Sequence, residues 1–194
     1  MGCRWRWLME WMPAFQLTWM GGWLPLLISS SIQWGLLFSM PRDVFKRLFD
    51  RSGWAKKQRI FFRLGKLCSV VCLALIIFTP LKLHSPCLFV GACLYLLGLL
   101  GLIISTLNYR DTPLDQPVTR GLYRISRHPQ IVSTTLIALG VCLAVGSWLA
   151  VSILAVAKVL EHFGILAEEE ACLKQYGESY RSFMGRVPRY FLFF

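Results

Sequence analysis

Two polar blocks, residues 108–130 and 167–189, carry most of the side chains that could do chemistry in this chain of 194 residues. The first block sets three arginines at spacings of four and three, which would share one face of a helix, and a histidine follows them. The second block opens with three consecutive glutamates. Their charge opposes the dipole at the C-terminal end of a helix, which indicates that a cationic group binds there. These residues are Arg120, Arg124, Arg127, His128, Glu168, Glu169 and Glu170.

Each group also has a simpler interpretation. The arginines could contact lipid headgroups, and the glutamates could form the solvated end of a helix. His128 could be an interfacial anchor or a helix cap, because Pro129 suits the first turn of a helix. The three histidines lie far apart, and the seven cysteines contain no CxxC pair. We therefore expect no metal site, and we expect the cysteines to be small packing residues.

The composition indicates an integral membrane protein. Hydrophobic residues make up 56% of the chain and charged residues 16%, whereas soluble domains carry about 25% charged residues. The mean hydropathy is +0.54. The net charge of +11 comes from basic residues that lie between apolar runs. This placement favours contact with anionic lipid headgroups over nucleic acid.

Stretches without charge predict an all-α fold with five transmembrane helices. Residues 11–41 and 83–109 contain no Asp, Glu, Lys or Arg, and residues 67–81 form a shorter run between two lysines. A span needs about 20 residues. The stretch 128–167 is too long for one straight span, so it predicts a helical hairpin that turns at Gly146-Ser147.

The basic residues predict the orientation of these spans. Nine Lys and Arg lie in residues 42–66, one (Lys82) follows the second span, four lie in residues 110–127 and four follow residue 167. Rich and poor loops alternate, so the positive-inside rule predicts an N-terminus outside and a C-terminus in the cytoplasm. Residues 43–64 are either an interfacial amphipathic hairpin broken at Ser52-Gly53 or a cytoplasmic loop.

The predicted hairpin returns the chain to the membrane face that it left. Each of its helices needs about 18 to 20 residues, which matches the spacing between the two polar blocks. We therefore expect His128 to lie near Glu168 and Glu169 at the cytoplasmic rim, where the two blocks form one site.

Sequences in both blocks resemble a known family. GLYRISRHPQ at 121–130, followed by the paired glutamates, KQYGESYRSF and RVPR within 169–189, is similar to the isoprenylcysteine carboxyl methyltransferases. Their relatives include phospholipid methyltransferases and the C-terminal halves of some membrane sterol reductases. The resemblance covers roughly the last 85 residues. Together with the predicted spans, it divides the chain into residues 1–107, with three spans and the basic amphipathic loop 42–66, and residues 108–194, with the hairpin and a cytoplasmic cofactor-binding region.

The resemblance implies that S-adenosyl-L-methionine is the cofactor, with S-adenosyl-L-homocysteine as product. Glu169 would pair with the amino group of the methionine moiety, and His128 and nearby arginines with its carboxylate. Tyr123 would pack on the adenine or the sulfonium. The implied cofactor-binding residues are Asp115, Gln116, Pro117, Val118, Tyr123, His128, Pro129, Gln130, Ile131 and Glu169.

The resemblance also implies a lipidic methyl acceptor that enters from the bilayer. The first candidate is the C-terminal carboxylate of a prenylated cysteine, for which Arg120, Arg127 and Glu168 are weaker candidate contacts. Eukaryotic members of the family carry an arginine that is expected to contact the substrate carboxylate, and this chain has Ile165 at that position. An amine phospholipid is the alternative acceptor. A membrane reductase that uses a nicotinamide cofactor and a non-enzymatic transporter or lipid-binding protein remain as other classes.

Overall fold

The structure is a computed structural model that describes residues 9–12 and 14–191. The first eight residues of the predicted region 1–107, which include Cys3, lie outside the described residues. The described part is helical and contains no β-strand. Its helices are α1 (Trp23–Phe38), α2 (Arg42–Phe49), α3 (Lys56–Ile77), α4 (Pro86–Arg110), a 3-10 helix (Gly121–Arg124), α5 (Pro129–Val145), α6 (Trp148–Tyr176) and α7 (Glu178–Met184).

Three of the described helices, α3, α4 and α6, are long and apolar enough to cross a membrane. Two further apolar helices, α1 and α5, have 16 and 17 residues. At 1.5 Å per residue they reach about 25 Å, less than the roughly 30 Å hydrocarbon core. Helical structure and three candidate spans are thus established, and five spans stay a prediction.

The first predicted span is shorter than expected. Residues 11–41 are uncharged, but the helix begins only at Trp23, after Gly21 and Gly22. The preceding segment pairs with the α3–α4 loop instead. The backbone N–H of Gln16 donates to Phe78 O at 2.8 Å and that of Gly22 to Thr79 O at 2.9 Å. These bonds satisfy the backbone without a helix.

The basic segment 42–66 does break at Ser52-Gly53, which lie in a turn between α2 and α3. Its first half is the short amphipathic helix α2. The second half is not an interfacial helix, because α3 begins at Lys56 and continues without interruption into the predicted second span. Gln58 starts this helix early, since its side-chain oxygen accepts the N–H of Ala55 at 2.9 Å.

The long helices pack as two pairs, α4 with α5 and α3 with α6. Gly91 and Gly140 let α4 and α5 touch, since a Cβ on either would overlap the carbonyl oxygen of the other. The pairs meet near the turn at Gly146, which adopts the left-handed conformation with φ 66°. The buried cluster there includes Cys72 and Cys142, whose sulfur atoms lie 3.9 Å apart. These two cysteines are packing residues, as predicted.

Candidate active site

A cavity of about 640 Å³ lies where the two helix pairs separate, towards the ends of α5 and α6 that are far from their connecting turn. This volume falls within the usual range for small-molecule sites, about 300 to 1,000 Å³. Both pairs line the cavity, and α2, the loop that follows it, the segment after α4 and α7 complete the wall. The predicted polar blocks contribute most of its aromatic side chains, whereas most of its cationic side chains, including Arg47, Lys66 and Lys158, come from outside these blocks.

Glu169 is the centre of a buried charge cluster beside this cavity. The residue is only 3% exposed, and three side chains from two separate segments surround its carboxylate. Arg189 donates from Nη2 to Oε2 at 2.7 Å, while Arg127 Nη1 lies 3.1 Å and His128 Nε2 3.3 Å from Oε1. The hydrogen bonds to Glu169 raise the pKa of Arg189. The expected meeting of His128 with the glutamates is therefore present in the structure.

The chain around His128 is fixed by bonds to the C-terminal tail. The backbone N–H of Arg127 donates to Pro188 O at 2.9 Å, and the Ser126 hydroxyl donates to Arg189 O at 3.0 Å. Pro129 then starts α5 without losing a helical hydrogen bond. The RVPR sequence pointed to this tail, but Arg189 itself was not among the predicted site residues.

Two residues of the cavity wall carry buried donors without partners. Nε and Nη1 of Arg127 and Nε2 of Gln130 make no hydrogen bond within the described chain, although both residues line the cavity. The Nη1 atom of Arg127 lies 3.1 Å from Glu169 Oε1 in an ion pair, but the two groups are not oriented for a hydrogen bond. A buried donor left unpaired costs about 1 to 3 kcal/mol. These atoms are therefore placed to bind an anionic group of a ligand, such as a carboxylate.

Aromatic side chains form another part of the wall. Tyr123 and Tyr180 are buried and pack with Phe183 in one cluster, and all three line the cavity. Burial raises the pKa of Tyr123 and of Tyr180. Both phenols are neutral at physiological pH, so this wall can stack on a flat ring or contact a cation.

The structure divides the predicted residues into two groups. Those that line the cavity are Pro117, Val118, Tyr123, Arg127, His128, Gln130, Ile131 and Glu168. Those that lie outside its wall are Asp115, Gln116, Arg120, Pro129 and Glu169. Asp115 and Gln116 are exposed, and Arg120 lies 3.4 Å from Asp111. Pro129 and Glu169 are buried. Glu169 contacts the wall residues Arg127 and His128 without lining the cavity itself.

Two expectations about the polar blocks are wrong. The three arginines do not share a helix face, because only Gly121–Arg124 is helical and the φ of Gly121 is +59°. A side chain at that glycine would overlap Asn108. The glutamates do not end a helix either, since α6 continues to Tyr176. Glu169 meets cations through tertiary contacts, and the helix dipole is not the reason.

A second charge cluster was missed by the sequence analysis. Glu161 on α6 is 4% exposed and lies 3.0 Å from Lys66 Nζ on α3 and 2.8 Å from Lys158 Nζ. The Ser69 hydroxyl donates to the same carboxylate at 3.1 Å. Lys66, Lys158 and Glu161 also line the cavity. The available signal was two isolated charges, Lys158 and Glu161, inside an otherwise apolar helix.

Comparison with known proteins gives one similarity. No curated protein and no solved structure matches the chain. Residues 86–179 match the model of the phospholipid methyltransferase family. They include all of α4, α5 and α6, and thus both helices that separate to form the cavity. Over just under half of its length, the chain is therefore similar to phospholipid methyltransferases, and this similarity does not single out the isoprenylcysteine enzymes.

Proposed function

We propose that the protein is a membrane methyltransferase that uses S-adenosylmethionine and acts on a lipidic acceptor. The observation that carries this proposal is the cavity between α5 and α6, whose lining includes an aromatic wall and two residues with buried, unpartnered donors, Arg127 and Gln130. The family match over α4 to α6 supports it independently. A purely structural membrane protein would have no need of buried donors left without partners.

The wall fits the groups of the cofactor. Arg127 and Gln130 would hold the carboxylate of the methionine moiety, and Glu168, an exposed carboxylate on the wall, would pair with its ammonium. Tyr123 and Tyr180 would pack on the adenine or the sulfonium. Since Glu169 already has three internal partners, it is a positioning residue that orients Arg127 and His128.

The bound cofactor would supply an electrophilic methyl group. An acceptor carboxylate is already a nucleophile at pH 7, so one of its oxygens can take the methyl group as the carbon–sulfur bond breaks, with no proton to remove. Catalysis then comes from alignment and from exclusion of water by the wall. An acceptor amine must also lose a proton, and Glu168 is the wall carboxylate that could accept it.

Two acceptors follow from these chemistries. Our first candidate is the carboxylate of a prenylated cysteine, which the sequences GLYRISRHPQ and RVPR favour. The second is an amine phospholipid, which the phospholipid methyltransferase match favours. For both, the polar group would reach the cavity from the bilayer side, and the hydrophilic cofactor would arrive from the cytoplasm.

Calorimetric titration of the detergent-purified chain tests the cofactor directly. We expect saturable binding of S-adenosylmethionine and S-adenosylhomocysteine and no binding of NADPH. Gln130→Leu removes one unpartnered donor without touching the Glu169 cluster, so it should weaken cofactor binding about tenfold. The variant should remain as stable as the native chain, because the substitution removes a buried donor that has no hydrogen bond to lose.

Gln116→Leu is the matched control, since its side chain is exposed and outside the cavity wall, and we expect its affinity to stay unchanged. Binding of NADPH alone would replace the proposal with a reductase. Binding of none of the three ligands would favour a non-enzymatic protein.

A further inference from the structure

The second charge cluster has an excess of positive charge. Lys66 and Lys158 share the single carboxylate of Glu161, so the cluster as a whole carries one net positive charge. Each ammonium has three donor hydrogens, and Glu161 engages only part of this capacity. Ionisable groups inside membrane-spanning helices are costly and usually mark a functional site. An anionic ligand would neutralise this excess positive charge.

The lysine side chains are more exposed than the carboxylate that they share. The side chains of Lys66 and Lys158 are 55% and 25% exposed, and that of Glu161 is 5% exposed. All three residues line the cavity. A ligand that enters the cavity therefore meets the ammonium groups first. Glu161 holds those groups in place from behind, in the same way that Glu169 holds Arg127.

The position of the cluster suits a group other than the cofactor carboxylate. Glu161 and Glu168 lie on the same face of α6, two helical turns and about 10 Å apart, and both contribute to the wall. The unpartnered donors of Arg127 and Gln130 lie on the segment that opens α5. Cations of the cavity wall thus come from separate segments, with Lys66 and Lys158 on α3 and α6 and Arg127 before α5, and the cofactor has a single carboxylate to pair with them.

Apolar side chains belong to the same cavity wall as the lysines, and the Phe62 ring centre lies 5.2 Å from Lys66 Nζ. Phe62 on α3, Leu102 on α4 and Ile131 on α5 belong to the same wall, and the aliphatic stems of the lysines add to it. A close approach of α3 and α6 at Gly65, where a Cβ would contact Ala157 and Glu161, places the cluster between the helices. A ligand with an anionic group joined to an apolar chain fits these surroundings.

We propose that Lys66 and Lys158 form the subsite that binds the anionic group of the lipidic acceptor, either a carboxylate or a phosphodiester. This inference rests on the proposed function for the identity of the reaction. It also accounts for the absence of an arginine at Ile165, because cations from α3 and from an earlier turn of α6 take that role.

Paired probes test the proposal by calorimetry, with and without saturating S-adenosylhomocysteine. One pair is N-acetyl-S-farnesylcysteine and its uncharged methyl ester. The other is a lysophosphatidylethanolamine and the monoacylglycerol of the same chain length, which lacks the phosphate. We expect the anionic member of at least one pair to bind about tenfold more tightly than its uncharged partner. The pair that shows the difference identifies the anion.

Lys158→Met should abolish this preference for the anionic probe, because one of the two ammonium groups is lost. Glu161 keeps Lys66 and Ser69 as partners in this variant, so the fold is retained. Lys66→Met is the second variant and leaves the Lys158 pair intact. Lys174→Met is the matched control, since Lys174 lies on the same helix in an exposed ion pair with Glu170.

Equal binding of both members in both pairs would overturn the proposal, and so would an unchanged preference in both lysine variants. Unaltered S-adenosylhomocysteine binding in those variants shows that the cofactor region is intact. Failure of the native chain to bind S-adenosylhomocysteine would refute the proposed function instead. The probe titrations without cofactor would still decide whether the lysines select an anion.

Discussion

At the scale of single residues, Glu169 joins segments that are far apart in the chain. Its carboxylate contacts Arg127 and His128, which precede α5, and Arg189 in the C-terminal tail. Side chains of Arg127 and Glu169 are only 3% and 4% exposed, so the low dielectric strengthens their attraction. The same burial makes each partner costly to remove, because the remaining charge stays desolvated.

Glu169→Gln should therefore lower both stability and cofactor binding. Loss of the carboxylate leaves Arg127 and Arg189 without a counter-charge, which costs about 3 to 5 kcal/mol when a buried pair is broken. Affinity for S-adenosylhomocysteine should fall at least about tenfold in the folded fraction, because Arg127 loses its orientation. Thermal unfolding and titration of the monodisperse protein measure the two effects.

Glu170→Gln is the control for this prediction. Glu170 is the next residue on α6, but its side chain is 54% exposed and its ion pair with Lys174 lies at the surface. Exposed pairs contribute about 0 to 1 kcal/mol, so we expect little change. A Glu169→Gln protein with native affinity would show that the cluster does not support the binding site.

At the scale of elements, Arg47 links α2 to the end of α4 and the segment after it, in addition to the packing of Val44 and Leu48. Arg47 donates from Nη1 to Pro113 O at 2.9 Å and from Nε to the Tyr109 hydroxyl at 3.2 Å, and its guanidinium lies 4.5 Å from the centre of the Tyr109 ring. Arg47, Leu48 and Phe49 line the cavity. The attachment of this short helix to the rest of the protein therefore sets part of the wall.

Arg47→Met should loosen α2 and open that part of the cavity. Loss of charged hydrogen bonds worth about 1.5 to 3 kcal/mol in total should weaken S-adenosylhomocysteine binding several-fold and speed chymotrypsin cleavage at Phe45, Phe49 or Trp54. Lys46→Met is the control, because Lys46 only pairs with exposed Asp43 at 3.6 Å. Native cleavage rates in both variants would mean that Arg47 does not anchor the helix.

The elements also show what the sequence could predict. Uncharged runs located the apolar helices and the turn at Gly146, because span length and loop charge are local properties of the chain. The sequence missed the early start of α3 at Lys56 and the late start of α1 at Trp23. The cap formed by Gln58 sets the start of α3. Backbone contacts with residues 78 and 79 set the start of α1. The long-range contact was not readable from hydropathy.

The candidate site likewise contains some residues that the sequence predicts and others that it does not. His128 and Glu169 were predicted together because the hairpin returns the chain to one membrane face. Arg189 and the Lys66–Glu161–Lys158 cluster were not predicted, because each depends on packing between elements distant in sequence. Gly65, which permits the contact of α3 with α6 at Glu161, gives no sign of that role in the sequence alone.

At the scale of the whole molecule, tertiary contacts gather loops at two opposite ends. Residues 16 and 22 bond to residues 78 and 79, and Lys82 N–H donates to Ala144 O at 2.9 Å. The other end holds Arg47 against Tyr109 and Arg127 against Glu169. The positive-inside prediction places the first of these ends outside and the second in the cytoplasm.

Cysteine labelling distinguishes five spans from three. In a background with the native cysteines replaced by alanine, Ser52→Cys and Ser182→Cys lie at the end with the candidate site, and His84→Cys lies at the other end. We expect a membrane-impermeant maleimide to label His84→Cys in intact cells, and the other two only in inverted vesicles. If only α3, α4 and α6 crossed the bilayer, Ser52→Cys and Ser182→Cys would label from opposite sides. That result would separate the loop after α2 from the Glu169 cluster, and a shared cavity would then be impossible.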